Sequence, residues 1–176
     1  MFEEKTVILD EPAVGRAITR ISFEIVERNK GAEDLCVVGI MGGGVSLAQR
    51  IAAKIGEIEG RQVDCGQLDI TPFRDDCLPP QGYQDRSRLD FDLTGKRVVL
   101  VDDVIYTGRS VRAAIEALMS RGRPRNIQLA ALVDRGHREL PIRADFIGKN
   151  LPTSSEEQVK VTTKERDGTD SVSIWR

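Results

Sequence analysis

Three times in this chain a strand-length apolar run leads through a short loop into a segment of helical periodicity, and that repeat constrains the fold more than any other feature. In KTVILDEPAVGRAITRISFEIVERNKG the strand is Thr6 to Leu9; Asp10 caps the helix that follows, Pro12 falls in its first turn and Gly31 lies past its end. Val14, Ile18, Ile21, Ile25 and Val26 recur at spacings of three and four and make one apolar face, opposite Arg16, Arg20, Glu24 and Glu27. LCVVGI, Leu35 to Ile40, then passes through MGGG into VSLAQRIAAKIG, and VVLV, from Val98, leads into SVRAAIEALMSRG. RQVDCGQLDI and IQLAALVD read as further strands. Strands that are apolar throughout are buried on both faces, so the predicted fold is α/β, an open, mostly parallel sheet flanked by helices.

Two segments break the alternation. Thr71 to Gly95 is long, polar and rich in Pro and Gly, which inside a compact domain means a functional lid, here about 71–95, or a disordered excursion. QVKVTTKERDGTDSVSIW alternates apolar residues around Asp167 and Gly168, a turn signal for a C-terminal hairpin. Residues 1–176 fit a single domain whose core needs no disulfide or metal staple. Cys36, Cys65 and Cys77 are odd in number and lack CxxC spacing, which fits a reducing compartment. Met1 to Asp10 has no signal-peptide pattern and no apolar run approaches the ~20 residues of a membrane span, so a cytoplasmic protein without a membrane partner is expected. The 26 Lys and Arg against 28 Asp and Glu leave a net charge of -2, which argues against indiscriminate coating of nucleic acid.

The chemistry concentrates in VVLVDDVIYTGRS, Val98 to Ser110. In a parallel sheet the ligand lies beyond the carboxyl ends of the strands, where Asp102 and Asp103 fall. The turn Val104, Ile105, Tyr106, Thr107, Gly108, Arg109, Ser110 then opens a helix whose first amides lack intrahelical partners, an anion site. Thr107 and Ser110 add hydroxyls to it, and Gly108 permits close backbone approach. The carboxylates cannot share that anion. They can accept hydrogen bonds from a sugar diol, or face a hydrated Mg²⁺ that bridges sugar and diphosphate oxygens; the alternative is that they cap the helix or face water. GIMGGGVSLA, Gly39 to Ala48, also joins strand to helix, but as a dinucleotide fingerprint it lacks its third glycine. Its Gly42 and Gly43 either offer backbone donors to an anion or make a tight packing turn.

The full stretch from Val98 to Ser110 resembles the phosphoribosyl diphosphate (PRPP) motif of the type I phosphoribosyltransferases. That resemblance assigns Asp102 and Asp103 to the ribose hydroxyls, with Mg²⁺ carried in by PRPP near them and no direct protein ligand. It assigns Val104 through Ser110 to the 5-phosphate and Gly42 and Gly43 to the diphosphate. DITPFRDD, AITRISFEIVERNKG and above all VDRGHRELPIRADFIGKNLPTS, Val133 to Ser154, are similar to the bifunctional pyrimidine operon regulators, which bind pyr messenger RNA and also have uracil phosphoribosyltransferase activity. This likeness spans nearly the whole chain. It implies a small hood, about 136–160, and a reaction in which uracil and PRPP give UMP and diphosphate. Arg74, in the lid, would meet the leaving diphosphate on closure, or is an exposed loop arginine; Arg135 and Val159 would border uracil.

The same resemblance implies control of pyrimidine genes through binding of the pyr mRNA leader in response to UMP or UTP, by a homodimer or higher homo-oligomer. Arg121, Arg123, Arg125, Arg135, Arg138, Arg143 and Lys149 face only Asp134, Glu139 and Asp145 over that stretch, a local basic excess. By composition alone it is a solvated surface; with the family likeness, Thr19, Arg20, Arg28, Arg138, Arg143 and Lys149 are the expected RNA contacts. Two departures stand out. Family members carry a basic residue just before the last glycine of the diphosphate loop, where this chain has Met41, Gly42, Gly43 and Gly44. That leaves open a regulator whose weakly active or inactive transferase site serves as a nucleotide sensor. Phe23 stands where the better-known RNA-binding members have histidine, which leaves open an enzyme that binds no RNA.

Overall fold

The computed structural model describes residues 3–176. In chain order it comprises β1 (Glu4–Leu9), α1 (Glu11–Asn29), β2 (Leu35–Ile40), α2 (Gly44–Glu59), β3 (Asp64–Leu68), a 3-10 turn (Thr71–Phe73), β4 (Arg97–Ile105), α3 (Arg109–Met119), β5 (Asn126–Asp134), β6 (Phe146–Asn150), β7 (Gln158–Thr162), α4 (Lys164–Asp167) and β8 (Ser171–Trp175). A five-stranded parallel sheet has the order β3-β2-β4-β5-β6, and a three-stranded antiparallel sheet, the hood, has the order β1-β8-β7.

The apolar strands alternate as a doubly covered sheet requires. Val99 and Val101 of β4 and Ala130 and Leu132 of β5 pack under α1 and α2. Their neighbours Val98, Leu100, Leu129 and Ala131 pack with Val111, Ala114 and Leu118 of α3 on the opposite face. All six residues of β2 are buried. Asp10 caps α1 as its position predicts, its Oδ1 accepting from the Ala13 amide at 3.0 Å. At the other end Lys30 takes the left-handed conformation, and the Gly31 amide returns to the Val26 carbonyl at 3.0 Å.

The structure corrects three boundaries. β4 does not stop after VVLV but runs through Asp102 and Asp103 to Ile105, because β5 continues beside it and pairs Asp102 with Ala131 and Ile105 with Asp134. Residues 146–150, within the expected hood, are instead the edge strand of the main sheet. Phe146 is buried there, and a Cβ at Gly148 would run into the Leu132 carbonyl. The outer edge of that strand is covered by Arg20 of α1, which donates to the Ile147 and Gly148 carbonyls at 3.2 and 2.6 Å. Finally, β7 and β8 do form a hairpin, but residues 163–170 between them hold the short helix α4, closed at Gly168 with φ 85°, in place of a two-residue turn.

Residues 71–95 are tied down at both ends. Leu93 is buried, Phe73, Leu89 and Phe91 pack onto the α3 face, and Arg88 exchanges backbone bonds of 2.9 Å with Gln67 at the end of β3. Between these anchors the segment is exposed, with Leu78 at its tip 90% accessible.

Val161 and Val172 of the hood share the core with α1, α2 and the main sheet, and one arginine ties the hood to α2. Arg50 of α2 donates from Nε and Nη2 to Glu165 at 2.7 Å, and from Nη1 and Nη2 to Asp170 at 2.8 and 2.7 Å. Asp170 is buried, and the Arg50 guanidinium holds its carboxyl below the usual carboxylate range. A depressed carboxylate contributes stability that is complete above its unfolded value near 3.8 and is lost as pH falls below it. Asp170→Asn is therefore expected to cost about 2 kcal/mol at pH 7, roughly 4–8 °C in Tm, with the gap from wild type narrowing in acid; thermal melts between neutral pH and pH ~3 read both.

Candidate active site

The strand end at β4 supplies the carboxylates. Asp102 is 9% exposed and Asp103 is half-buried. Each is oriented by the next amide: Asp102 Oδ1 accepts from the Asp103 N–H at 2.9 Å, and Asp103 Oδ1 from the Val104 N–H at 2.8 Å. Burial, and then the charge of Asp103, pushes the Asp102 carboxyl well above the ordinary range. The site therefore holds one carboxylate against the cost of desolvation, a state that ligand donors or a cation would relieve.

Beyond the strand the chain turns through Tyr106, Thr107 and Gly108 (φ 92°) into α3. Three successive carbonyls of this turn point at one neighbouring segment. Ile105 O accepts from the Arg135 amide at 3.1 Å, Tyr106 O from Arg138 Nη1 at 2.9 Å, and Thr107 O from the Glu139 and Leu140 amides at 3.0 and 3.3 Å. Because the peptides are trans, the N–H groups of Tyr106, Thr107 and Gly108 are turned the other way. They join the first amides of α3, which lack intrahelical partners, around a cavity of about 310 Å³ lined by Asp102, Val104 to Val111 and, from across the gap, Arg74, Asp75 and Asp76. Thr107 Oγ1 accepts from the Arg109 amide at 3.3 Å, which tightens the turn.

The glycine loop borders the same carboxylates. Gly42 has φ 110°, and a Cβ at Gly43 would overlap the Asp103 carboxylate. Together with Ile70, Thr71 and Arg86, these glycines and both aspartates line an adjoining cavity of about 550 Å³. Asp69 stands at its wall, 3% exposed. Burial alone would raise its carboxyl, but the Thr71 hydroxyl and amide at 2.6 and 3.1 Å and the Arg86 amide outweigh that and hold it at about 2. Among the described residues no three His, Cys, Asp or Glu side chains converge as a metal site. The donor set is thus carboxylates without a cage, which suits Mg²⁺ only if a ligand supplies further oxygens.

Arg74 lines both cavities, its Nε and Nη2 paired with Asp76 at 2.8 and 2.5 Å. Arg109 spans the mouth, from Asp75 of the 71–95 segment at 2.7 Å to Glu139 at 3.2 Å. Arg135 is buried; it donates to Thr153 Oγ1 at 3.0 Å and to the Ser154 and Glu157 carbonyls at 3.1 and 2.8 Å, while its guanidinium lies 4.2 Å from the Tyr106 ring centroid. It joins a third cavity, of about 290 Å³, with Asp134, His137, Asn150 and Leu151. Val159 lies apart from that lining, half-buried against the core on β7.

The residues expected to contact RNA divide. Thr19, Arg20 and Arg28 on α1 lie against β6, which carries Lys149, and Arg28 pairs with Asp145 at 2.8 Å. Arg143 and Lys149 are exposed. Arg138 does not join that face. Its guanidinium is folded onto Asp134 at 2.7 and 3.0 Å, Ile142 O at 2.7 Å and the Tyr106 carbonyl, because it props the turn after β4. Two residues escaped the sequence: Asp69 and Arg86, which sit in irregular chain and reach the cavity only through the single bridge between Gln67 and Arg88.

Comparison with known proteins agrees with this geometry. The phosphoribosyl transferase domain matches residues 5–165. Proteins named bifunctional protein PyrR from Bacillus mycoides (strain KBAB4) and Bacillus cereus (strain AH820) are each 55% identical over 178 residues, covering 99% of this chain and 99% of their own. Among solved structures, a hypoxanthine phosphoribosyltransferase of Trypanosoma cruzi superposes with TM-score 0.71 at 15% identity over 96% of both chains. One from Staphylococcus aureus gives 0.68 at 20% identity over 86% of this chain and 80% of that one; these two likenesses speak to the fold alone. A domain match across nearly the whole sheet, and relatives alike from end to end, mean that the chain belongs to the phosphoribosyltransferase family and, within it, to the bifunctional PyrR proteins.

Proposed function

We propose that this protein is a uracil phosphoribosyltransferase that also regulates pyrimidine genes by binding the pyr mRNA leader in response to UMP or UTP. The observation that carries the transferase reading is the strand end at β4, where the buried Asp102 and half-buried Asp103 adjoin an anion cavity lined with outward-turned amides. PRPP fits both: its 5-phosphate on the turn from Val104 to Ser110, its ribose hydroxyls on Asp102 and Asp103, and its diphosphate toward Gly42 and Gly43. Uracil N1 replaces diphosphate at the anomeric carbon, and the N1 proton is lost as the new bond forms. Positive charge develops on the ribose ring as the old bond breaks, so Asp102 and Asp103 act by charge and position and no protein nucleophile is needed. When bound with PRPP, Mg²⁺ neutralises diphosphate oxygens. Arg74 meets the diphosphate once it exchanges Asp76 for the ligand, a small cost for an exposed pair. Arg135 shapes the base pocket by holding residues 153–157 in place, and Val159, which packs against the core just beyond them on β7, anchors the strand that follows.

The RNA-binding role rests on the end-to-end likeness to proteins named bifunctional. The face formed by α1 and β6 is the reading's RNA surface: Thr19, Arg20, Arg28, Arg143 and Lys149, with Phe23, 54% exposed, as a platform for a base. Arg138 takes a different part, props the phosphate turn and would link nucleotide occupancy to the rest of that segment. A homodimer would double this face. The sensor reading is favoured by one observation, the uncharged glycine loop.

Each part has its measurement. Asp102→Asn and Asp103→Asn are expected to lower kcat/KM for PRPP by about 10- to 100-fold in a radiolabelled uracil assay. Because the folded Asp102 carboxyl is raised, its ionised form costs stability above the ordinary value of 3.8; Asp102→Asn should therefore melt no lower than wild type at pH 7. Turnover of wild type at ordinary enzyme rates excludes the sensor reading. In gel shifts with the leader RNA, Arg143→Ala or Lys149→Ala should weaken uridine nucleotide-dependent binding and reduce the salt slope by about 1 each. Arg138→Ala should instead raise the KM for PRPP; unchanged PRPP kinetics would return Arg138 to the RNA face.

A further inference from the structure

The glycine loop carries no cationic side chain in this chain. After Met41 it is glycine through Gly44, and the Asp103 carboxylate occupies the space that a Cβ at Gly43 would take. Yet the adjoining cavity of about 550 Å³ is walled by Asp69, Asp102 and Asp103, so an anion of several charges entering it needs positive charge from some other element.

Arg86 is placed to supply it. Its backbone is fixed: the amide donates to Asp69 Oδ2 at 3.3 Å, the carbonyl accepts from Gln67 Nε2 at 3.0 Å, and Arg88 pairs with Gln67. Its side chain is not. It is 67% exposed, and its one contact is from Nε to Asp69 Oδ2 at 3.4 Å, so both terminal nitrogens are free among the described residues. A guanidinium with its stem anchored and its outer fork unused matches paired phosphate oxygens. Arg74 lines the same cavity, but it must first leave Asp76 to meet a ligand, whereas the outer fork of Arg86 is already unpaired. Asp69, ionised at any physiological pH, sits beneath the Arg86 Nε and aims the fork outward.

We infer that Arg86 is a cationic partner of the diphosphate group in this protein beside Arg74, bringing from the 71–95 segment charge that the glycine loop lacks. The inference rests on the PRPP reading above. It accounts for how an uncharged loop remains compatible with turnover, and it adds to the site a residue that must be in place before diphosphate is held.

The test uses the full chain with Arg86→Gln and Arg86→Lys, titrated calorimetrically with inorganic diphosphate and with UMP, and assayed for PRPP kinetics. Arg86→Gln is expected to weaken diphosphate binding and raise the KM for PRPP by about 10- to 100-fold, with UMP affinity and Tm unchanged. Arg86→Lys should recover part of the loss, since it keeps the charge without the fork. Diphosphate affinity in Arg86→Gln equal to wild type overturns the inference and leaves the PRPP reading standing. A parallel fall in UMP affinity or in Tm overturns it too, by making the residue structural. Wild type that binds UMP, PRPP and diphosphate not at all removes both.

Discussion

Everything at the candidate site depends on three consecutive carbonyls being pulled aside. Ile105, Tyr106 and Thr107 give their oxygens to residues 135–140, and only in that arrangement do the opposing amides face the cavity. The segment that pulls is itself secured. Arg138 is locked on Asp134 at the end of β5, and Arg135 reaches outward to residues 153–157 and back onto the Tyr106 ring. Strand end, phosphate turn and the loop leading to the hood are therefore one hydrogen-bonded unit. A basic run that looks like surface in the sequence is, at these two positions, internal scaffolding.

A second pattern runs through the arginines at the mouth. Arg74 rests on Asp76, and Arg109 on Asp75 and Glu139. Exposed pairs of this kind contribute little to stability, so a phosphate can displace the carboxylates at small cost. The acidic partners keep the guanidiniums near their working positions while the charge they offer a ligand stays available. Asp102 is different, because it is buried and has no cation beside it. Its desolvation is a strain that the fold sustains in order to keep an acceptor near the carboxyl end of the central strand.

Much of this was legible in the sequence. Continuous apolar runs and the spacing of Val14, Ile18, Ile21 and Ile25 were enough to give the parallel sheet and α1, since burial on both faces leaves an unmistakable pattern. Asp102, Asp103 and the turn after them were legible for the same reason, as polar residues directly following a buried apolar run, although the strand itself continues through them to Ile105. β6 was not, because only Phe146 and Ile147 of its five residues are apolar and its outer edge is covered by Arg20 rather than by pattern. The direction of Arg138 was illegible because charge in a sequence has no orientation. Arg86 was illegible because one bridge between Gln67 and Arg88, with no periodicity around it, decides where it stands.

The hood places β8 between β1 and β7, so β1 finds its strand partner, the only one among the described residues, in residues 171–175. During synthesis β1 waits unpaired while the parallel sheet, from β2 to β6, has all its strands available. The two sheets thus mature at different times: the turn after β4 can form with β5 and residues 135–140, and the hood is completed last by a contact spanning almost the whole sequence. A nascent or nicked chain lacking that final strand would keep the cavities, whose linings come from the ends of β2, β4 and β5 and the loops beside them, while β1 and β7 would lose the strand that joins them.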